Sequence, residues 1–225
     1  SYLNGIRDWA AERGSIIALG ILREDPGGGT FQNTLVVLGE SPSFYVKRHL
    51  VPYGEVFPVP EFIRRWLRLM SLPYTDAVAG GPDQPPLRIA GENVGVTICY
   101  EDVFGAEQLH YLPEASLLIN VSNDAWFGNT IAPHQHLQIA RLRAAEVSRY
   151  TLRVTNTGIS SVIDPRGRVV ARSPQFEPHV LKSAVQGFTG RTPYVIWGNY
   201  FVILGVLGTI LFQLGTTKFT IRPGT

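Results

Sequence analysis

The chain has 225 residues, of which 44% are hydrophobic and 17% are charged, and its formal net charge is +2. This composition excludes a disordered chain, and so small a net charge without a basic cluster argues against nucleic-acid binding. A single cysteine, Cys99, excludes an internal disulfide. The residues before position 194 are enough for one substantial globular domain with its own core.

The hydrophobic pattern predicts alternating helices and strands first and mainly strands later. Apolar residues three and four positions apart, with turn and proline signals, predict helices over 3–13, 60–70, 106–111 and 132–149. Runs rich in apolar and β-branched residues predict strands over 15–22, 31–38, 94–98, 116–121, 151–155, 160–163, 168–171 and 180–185. This order indicates a mixed α/β layered fold, with the first strand buried.

The segment 194–215 contains no charged side chain. At about 1.5 Å per helical residue, a helix of this length spans the ~30 Å hydrocarbon core of a bilayer. Aromatic residues crowd its start and Lys218 and Arg222 follow its end, as at membrane interfaces. We expect a transmembrane helix over 194–215 and a cytoplasmic tail over 216–225; a buried core helix is the alternative.

Cys99 ends the apolar run 94–98 and is followed by Tyr100, Glu101 and Asp102. A free cysteine is often a small buried hydrophobe, but a thiol beside carboxylates at a strand end is also placed for catalysis. Nucleophilic attack requires the thiolate, which a nearby cation stabilises. We therefore expect the ammonium of Lys47 to lie beside the sulfur of Cys99, in a cleft reachable from lipid.

Five strings occur in a specific order and spacing: Lys47-Arg-His-Leu-Val-Pro-Tyr-Gly-Glu55, Ile98-Cys-Tyr-Glu101, Asn123-Asp-Ala-Trp-Phe-Gly128, Arg141-Leu-Arg-Ala-Ala-Glu146 and Thr155-Asn-Thr-Gly158. Together they resemble the apolipoprotein N-acyltransferases, bacterial inner-membrane enzymes of the nitrilase-like, or carbon-nitrogen hydrolase, superfamily. The resemblance implies a nitrilase-like α-β-β-α sandwich over 1–190 on the periplasmic side, followed by the transmembrane helix and the cytoplasmic tail.

The resemblance also implies an activity in lipoprotein maturation. A fatty acyl chain passes from a phospholipid, through a cysteine thioester in a ping-pong reaction, to the N-terminal amine of a diacylglyceryl-apolipoprotein, and no cofactor is implied. Cys99 matches the nucleophile, Lys47 the catalytic lysine, and Glu55 and Glu101 two further carboxylates near the thiol. Lys47 and the backbone N–H of Tyr100 are the expected oxyanion donors.

Further residues carry open alternatives. Trp126 and Phe127 either line the substrate entrance or pack ordinarily. Trp66 belongs to an expected lipid-facing lid, with Phe57, Phe62, Ile63, Leu67 and Leu69. Arg143 and Glu146 are spaced as a structural pair on a helix, whereas His134 and His136 diverge and do not predict a metal site.

One departure concerns the general base. The family's glutamate belongs to a Pro-Glu motif before the first helix, and no residue of this sequence matches it. We therefore expect an N-terminally truncated catalytic domain that does not turn over alone. The alternative functions are a membrane-anchored nitrilase-like amidase that hydrolyses a C–N bond and a membrane-anchored binding domain with a packed cysteine.

Overall fold

The structure is a computed structural model that describes residues 2–56, 59–60, 62–63 and 77–218. Its helices are α1 (Tyr2–Ala11), α2 (Ala132–Val147), α3 (Pro193–Trp197) and α4 (Tyr200–Lys218). Strands β1 to β9 span, in order, Ile17–Glu24, Phe31–Leu38, Ser43–Val46, Leu87–Ile89, Glu92–Ile98, Leu117–Ser122, Tyr150–Thr155, Ser161–Ile163 and Val169–Arg172. Short 3-10 helices span Cys99–Val103, Gly105–Tyr111 and Asp124–Phe127.

The strands form two sheets. Strands β1, β2 and β3 make an antiparallel three-stranded sheet in that order. Strands β4 to β9 make a six-stranded sheet, in which β5, β6 and β7 are parallel and the outer pairings are antiparallel. Parallel neighbours need crossovers, supplied here by two 3-10 helices and by α2. The carboxyl ends of β5, β6 and β7 therefore meet at one edge of the sheet.

Apolar side chains pack the two sheets face to face and pack α2 onto the outer face of the larger one. Alternate residues of a strand share a face, so Val96 and Ile98 of β5 both point toward β2 and β3. Their buried partners are Leu35, Val37, Tyr45 and Leu87. On the other face, α2 contributes Leu137, Ala140 and Ala144, three and four positions apart, against Ile159 and Ile163.

Most predicted elements are present, with three differences. The predicted first strand exists as β1, but it lies at a sheet edge and its outward residues are exposed, so it is not buried. The strand predicted over 180–185 is wrong, because these residues have no regular secondary structure and Val180 is exposed. Strands β3 and β4 were not predicted. The predicted helix 60–70 lies mostly outside the described residues.

The apolar C-terminal segment forms two helices rather than one. Gly198, between α3 and α4, has a φ of 52°, which glycine adopts without the strain that a Cβ would cause. Large apolar side chains around α4 are exposed, among them Phe201, Leu204, Leu211 and Phe212. Among the described residues, no helix has both the length and the apolar character needed to cross a membrane, so the transmembrane helix over 194–215 is not confirmed.

Candidate active site

Cys99 lies at a sharp turn, where β5 ends and the 3-10 helix Cys99–Val103 begins. Its φ is 54°, in the left-handed region that residues with a Cβ seldom adopt. Such outliers are frequent at functional sites, and a strained strand-to-helix turn is a recurring way to present a nucleophile at the edge of a sheet. The residue is half-buried and its thiol is free. Cys99 is therefore not sealed within the core, although it packs against the apolar cluster between the sheets.

Glu101 ties this turn to the loop that carries Lys47. Its carboxylate is 3% exposed. It accepts hydrogen bonds from the backbone N–H of Ile98 at 2.6 Å, of Arg48 at 2.6 Å and of His49 at 3.2 Å, and from the Tyr45 hydroxyl at 3.1 Å. One carboxylate thus binds the residue before Cys99 and the two residues after Lys47.

The groups that donate hydrogen bonds to Glu101 are all uncharged, so they oppose the effect of burial on its pKa only weakly. Burial raises the pKa of Glu101 above its ordinary value, and the three backbone hydrogen bonds offset this only in part. Burial and the nearby Glu101 carboxylate also raise the pKa of Tyr45, so that its hydroxyl stays protonated and remains a donor.

Lys47 is held by the other expected carboxylate. The lysine follows β3, is 1% exposed, and places its Nζ 2.7 and 2.8 Å from the two oxygens of Glu55. The same carboxylate accepts from the backbone N–H of Val51 at 2.8 Å and from the side-chain amide of Asn33. Glu55 therefore orients the ammonium of Lys47, whereas Glu101 holds the backbone of its loop.

A buried layer of polar side chains lies behind the Cys99 turn, between the six-stranded sheet and α2. We call it the polar layer, and its members are Thr97, Asp102, Asn120, Asp124, His136 and Arg153. Thr97, Asn120 and Arg153 are register partners across β5, β6 and β7. Asn120 donates to Thr97 at 3.0 Å and accepts from Arg153 at 2.6 Å.

Four members of the polar layer are ionisable and stand in contact. Arg153 donates to Asp124 at 2.9 Å and lies 3.6 Å from Asp102. Burial alone raises the pKa of Asp124, but the hydrogen bond with His136 and the charge of Arg153 lower it to about 2. Burial alone lowers the pKa of His136, but hydrogen bonds with Asp102 and Asp124 raise it to about 9. The layer therefore pairs two carboxylates with two cations.

The segments 123–128 and 155–158 are joined by hydrogen bonds next to the polar layer. Asn156 accepts from the backbone N–H of Asp124 at 3.1 Å, and its amide donates to Asn123. Asn123 caps the 3-10 helix by accepting from Ala125 at 3.1 Å. A Cβ at Gly158 would overlap the carboxylate of Asp124. These contacts explain physically why an Asn-Asp string and an Asn-Thr-Gly string occur together.

Sequence reasoning missed most of the polar layer. The available signal was a polar residue within each of three neighbouring strands, Thr97 in β5, Asn120 in β6 and Arg153 in β7. His136 is buried and His134 is exposed, so the two rings diverge as expected. In the part of the chain that the structure describes, no group of three or more His, Cys, Asp or Glu residues is arranged to hold a metal ion.

The structure also describes four other residues that the sequence singled out: Arg143, Glu146, Trp126 and Phe127. Arg143 donates to Glu146 at 3.0 Å, which confirms the structural pair on α2. Trp126 is 83% exposed and Phe127 39%, so ordinary packing does not account for Trp126. Trp66 and most of the expected lid lie outside the described residues, and only Phe62 and Ile63 of that set are described.

Comparison with known proteins identifies the class to which this chain belongs. The carbon-nitrogen hydrolase family profile matches residues 1–194, and the chain belongs to that family. Solved structures agree on the fold: the NitFhit protein of C. elegans has a TM-score of 0.59 at 22% identity, covering 78% of this chain and 43% of that one. A carbon-nitrogen hydrolase of Helicobacter pylori G27 has a TM-score of 0.59 at 14% identity, covering 78% and 64%. The predicted nitrilase-like α/β fold is confirmed.

Curated relatives narrow the similarity further. The chain is similar to the apolipoprotein N-acyltransferase of Nitrosomonas europaea, with 46% identity over 225 residues, which cover 100% of this chain and 45% of the relative. The apolipoprotein N-acyltransferase of Methylococcus capsulatus is 44% identical over 200 residues, which cover 89% of this chain and 40% of the relative. The chain thus spans less than half the length of these relatives.

Proposed function

We propose that this chain carries the acyl-transfer centre of an apolipoprotein N-acyltransferase. Its substrates are a phospholipid acyl donor and the N-terminal amine of a diacylglyceryl-apolipoprotein. The observation that carries the proposal is the Cys99 turn, bound through Glu101 to the loop in which Glu55 holds Lys47. The Nitrosomonas europaea relative, which matches this chain over its whole length, bears this name.

In the first step, the thiolate of Cys99 attacks the ester carbonyl carbon of the phospholipid. A C–S bond forms, and the carbonyl oxygen becomes an oxyanion that Lys47 and the N–H of Tyr100 stabilise. The C–O bond then breaks, and the lysophospholipid leaves as the alcohol after taking the proton that a general base removed from the Cys99 thiol. Splitting the reaction through a thioester replaces one difficult step with two easier ones.

In the second step, the free amine of the acceptor attacks the thioester carbonyl. A C–N bond forms, the C–S bond breaks, and the amine proton passes to a base. Glu55 and Glu101 are poor candidates for that base, because Lys47 and three backbone N–H groups already occupy them. We assign the role to the general-base glutamate that the resemblance implies and that no residue of this sequence matches.

A lipid donor requires contact with a membrane, and α4 is the element that fits this requirement. Apolar side chains surround this helix and are exposed, and a helix that is hydrophobic all round is stable only when covered. We propose that lipid covers α4 in the bacterial inner membrane, with residues 1–190 in the periplasm. The exposed Trp126 and Phe127 then line the entrance for the acyl chain.

The test supplies labelled phospholipid and a diacylglyceryl peptide to the natural protein at its full length. We expect N-acylated peptide and lysophospholipid in equal amounts. Lys47→Met should reduce the rate by about 10²- to 10³-fold, as for loss of an oxyanion donor, whereas exposed Lys182→Met should not. Free fatty acid with no acylated peptide would instead support hydrolysis, and cleavage of an added amide would support the amidase.

The lipid contact of α4 has its own test. Leu204→Glu with Leu211→Glu places two charges on exposed positions of the helix. We expect this variant to lose its association with phospholipid vesicles, because each buried charge is costly in hydrocarbon. Leu142→Glu with Val170→Glu, two exposed apolar positions outside α4, is the control. Unchanged vesicle binding of the α4 variant would exclude this contact.

A further inference from the structure

His136 lies directly behind the Cys99 turn, in the second turn of α2, and is 8% exposed. Its Nδ1 lies 3.2 Å from an oxygen of Asp124. Its Nε2 lies 3.0 Å from an oxygen of Asp102 and 3.2 Å from the backbone carbonyl oxygen of Cys99. The ring therefore joins α2 to the 3-10 helices Cys99–Val103 and Asp124–Phe127, which directly follow β5 and β6.

The partners of His136 determine its protonation. An ionised carboxylate and a carbonyl oxygen can only accept hydrogen bonds, and a neutral imidazole has only one N–H. Acceptors on both sides therefore require two N–H groups, which only the imidazolium has. The charged groups that face it are Asp102, Asp124 and Arg153. With a protonated ring these four charges balance, and the hydrogen bonds raise the pKa of His136 to about 9.

The carbonyl of Cys99 belongs to the same rigid peptide unit as the N–H of Tyr100. A peptide unit is planar, and in the trans form its C=O and N–H point in opposite directions. Among the described residues the cis bond is Leu112–Pro113, so the Cys99–Tyr100 unit is trans. A donor that fixes the Cys99 carbonyl toward α2 consequently aims the Tyr100 N–H away from α2.

We propose that His136, as an imidazolium, is a positioning residue that aims the Tyr100 N–H at the developing oxyanion by holding the carbonyl of Cys99. The proposal rests on the proposed role of Cys99 as nucleophile. It gives the left-handed conformation of Cys99 a physical cause, because a strained conformation persists only where its surroundings determine it. A charged donor on the carbonyl also polarises the peptide unit and strengthens its N–H as a donor.

The test compares two reactions of Cys99 in the natural protein at its full length. A p-nitrophenyl ester acylates the thiolate through an oxyanion and releases p-nitrophenolate, whereas iodoacetamide alkylates it by displacing iodide, with no oxyanion. We expect His136→Gln to slow acylation about 10²-fold, comparable to loss of an oxyanion donor, and to change alkylation by less than about threefold. His134→Gln, at an exposed position two residues earlier, should change neither.

An equal loss in both reactions, or no loss in either, would overturn the proposal, as would a Cys99 that reacts with neither probe in the unaltered protein. If the p-nitrophenyl ester acylates Cys99 but phospholipid never does, acyl transfer from lipid fails while the role of His136 stands. The two proposals are thereby separated.

Nuclear magnetic resonance of the histidine rings in the unaltered protein tests the protonation without a variant. The His136 ring is assigned by elimination, from spectra of single His→Gln variants at the other histidines. We expect one ring to remain an imidazolium at neutral pH and to titrate near the raised pKa of about 9. A neutral His136 ring at neutral pH would overturn the proposal even if His136→Gln failed to fold.

Discussion

Two buried carboxylates flank the Cys99 turn, and they differ in the charge of their donors. Glu101 accepts from three backbone N–H groups and a tyrosine hydroxyl, all neutral, and its pKa is raised by burial. Asp124 accepts from Arg153 and His136, both cations, and its pKa is lowered to about 2. Two carboxylates that are both buried therefore have pKa values shifted in opposite directions, because hydrogen bonds from charged donors are about twice as strong as those from neutral ones.

The difference separates two mechanical tasks. Glu101 joins the Cys99 turn to the Lys47 loop by accepting hydrogen bonds from backbone N–H groups of both. It therefore sets the distance between these two segments. The polar layer joins the turn to α2 through ionised side chains, so this connection weakens at high pH, where His136 loses its proton. Removing a charged side chain from the polar layer should consequently lower the free energy of unfolding more than neutralising Glu101 does.

The largest expected effect comes from Arg153→Met. This variant leaves two buried carboxylates with His136 as their remaining cation, and breaking a buried ion pair in this way costs about 3–5 kcal/mol of unfolding free energy. The midpoint of urea-induced unfolding measures it. Arg172→Met, at an exposed position of β9, is the matched control. A destabilisation no larger than that of the control would contradict the ionised state of the layer.

The free energy of unfolding should also depend on pH, through the titration of His136. Its folded pKa of about 9 exceeds the ordinary value of 6.5, so its stabilisation is complete below pH 6.5 and is lost as the pH rises through 9. Full loss corresponds to about 3 kcal/mol. Unfolding free energies measured across this range should fall, and His136→Gln should remove most of the slope. An unchanged slope in that variant would exclude His136 as its source.

A smaller effect is expected for Glu101→Gln. The amide keeps the shape of the carboxylate, but its NH₂ group faces a backbone N–H that then has no acceptor, which costs about 1–3 kcal/mol of unfolding free energy. Urea unfolding measures the change, and exposed Glu114→Gln serves as the control. If Glu101→Gln were more damaging than Arg153→Met, the contrast between the two sides of the turn would be reversed.

The fold was largely predictable where periodicity or a bounded apolar run determines the structure. The predicted strand 31–38 has the same bounds as β2, and the predicted helix 132–149 contains α2. Strands β3 and β4 are only four and three residues long, too short for a periodic signal. The region 180–185 resembles a strand in composition but does not pair with another strand. The strand prediction, which rested on local propensity alone, therefore failed there.

The site was predictable only in part. Cys99 and Lys47 follow from their residue types and neighbours, and Glu55 from the string that it ends. The task of Glu101 did not follow, because its partners are mostly backbone N–H groups, which every non-proline residue has. The polar layer joins residues from 97 to 153 through strand register and a crossover helix, which no local pattern records.

The most direct test of the central claim is the intact mass of the natural protein at its full length after incubation with phospholipid and no acceptor. We predict one acyl adduct, located on Cys99, that hydroxylamine removes because thioesters react readily with strong nucleophiles. Cys99→Ala should show none. A folded protein without this adduct, or an adduct that persists in Cys99→Ala, would contradict Cys99 as the nucleophile.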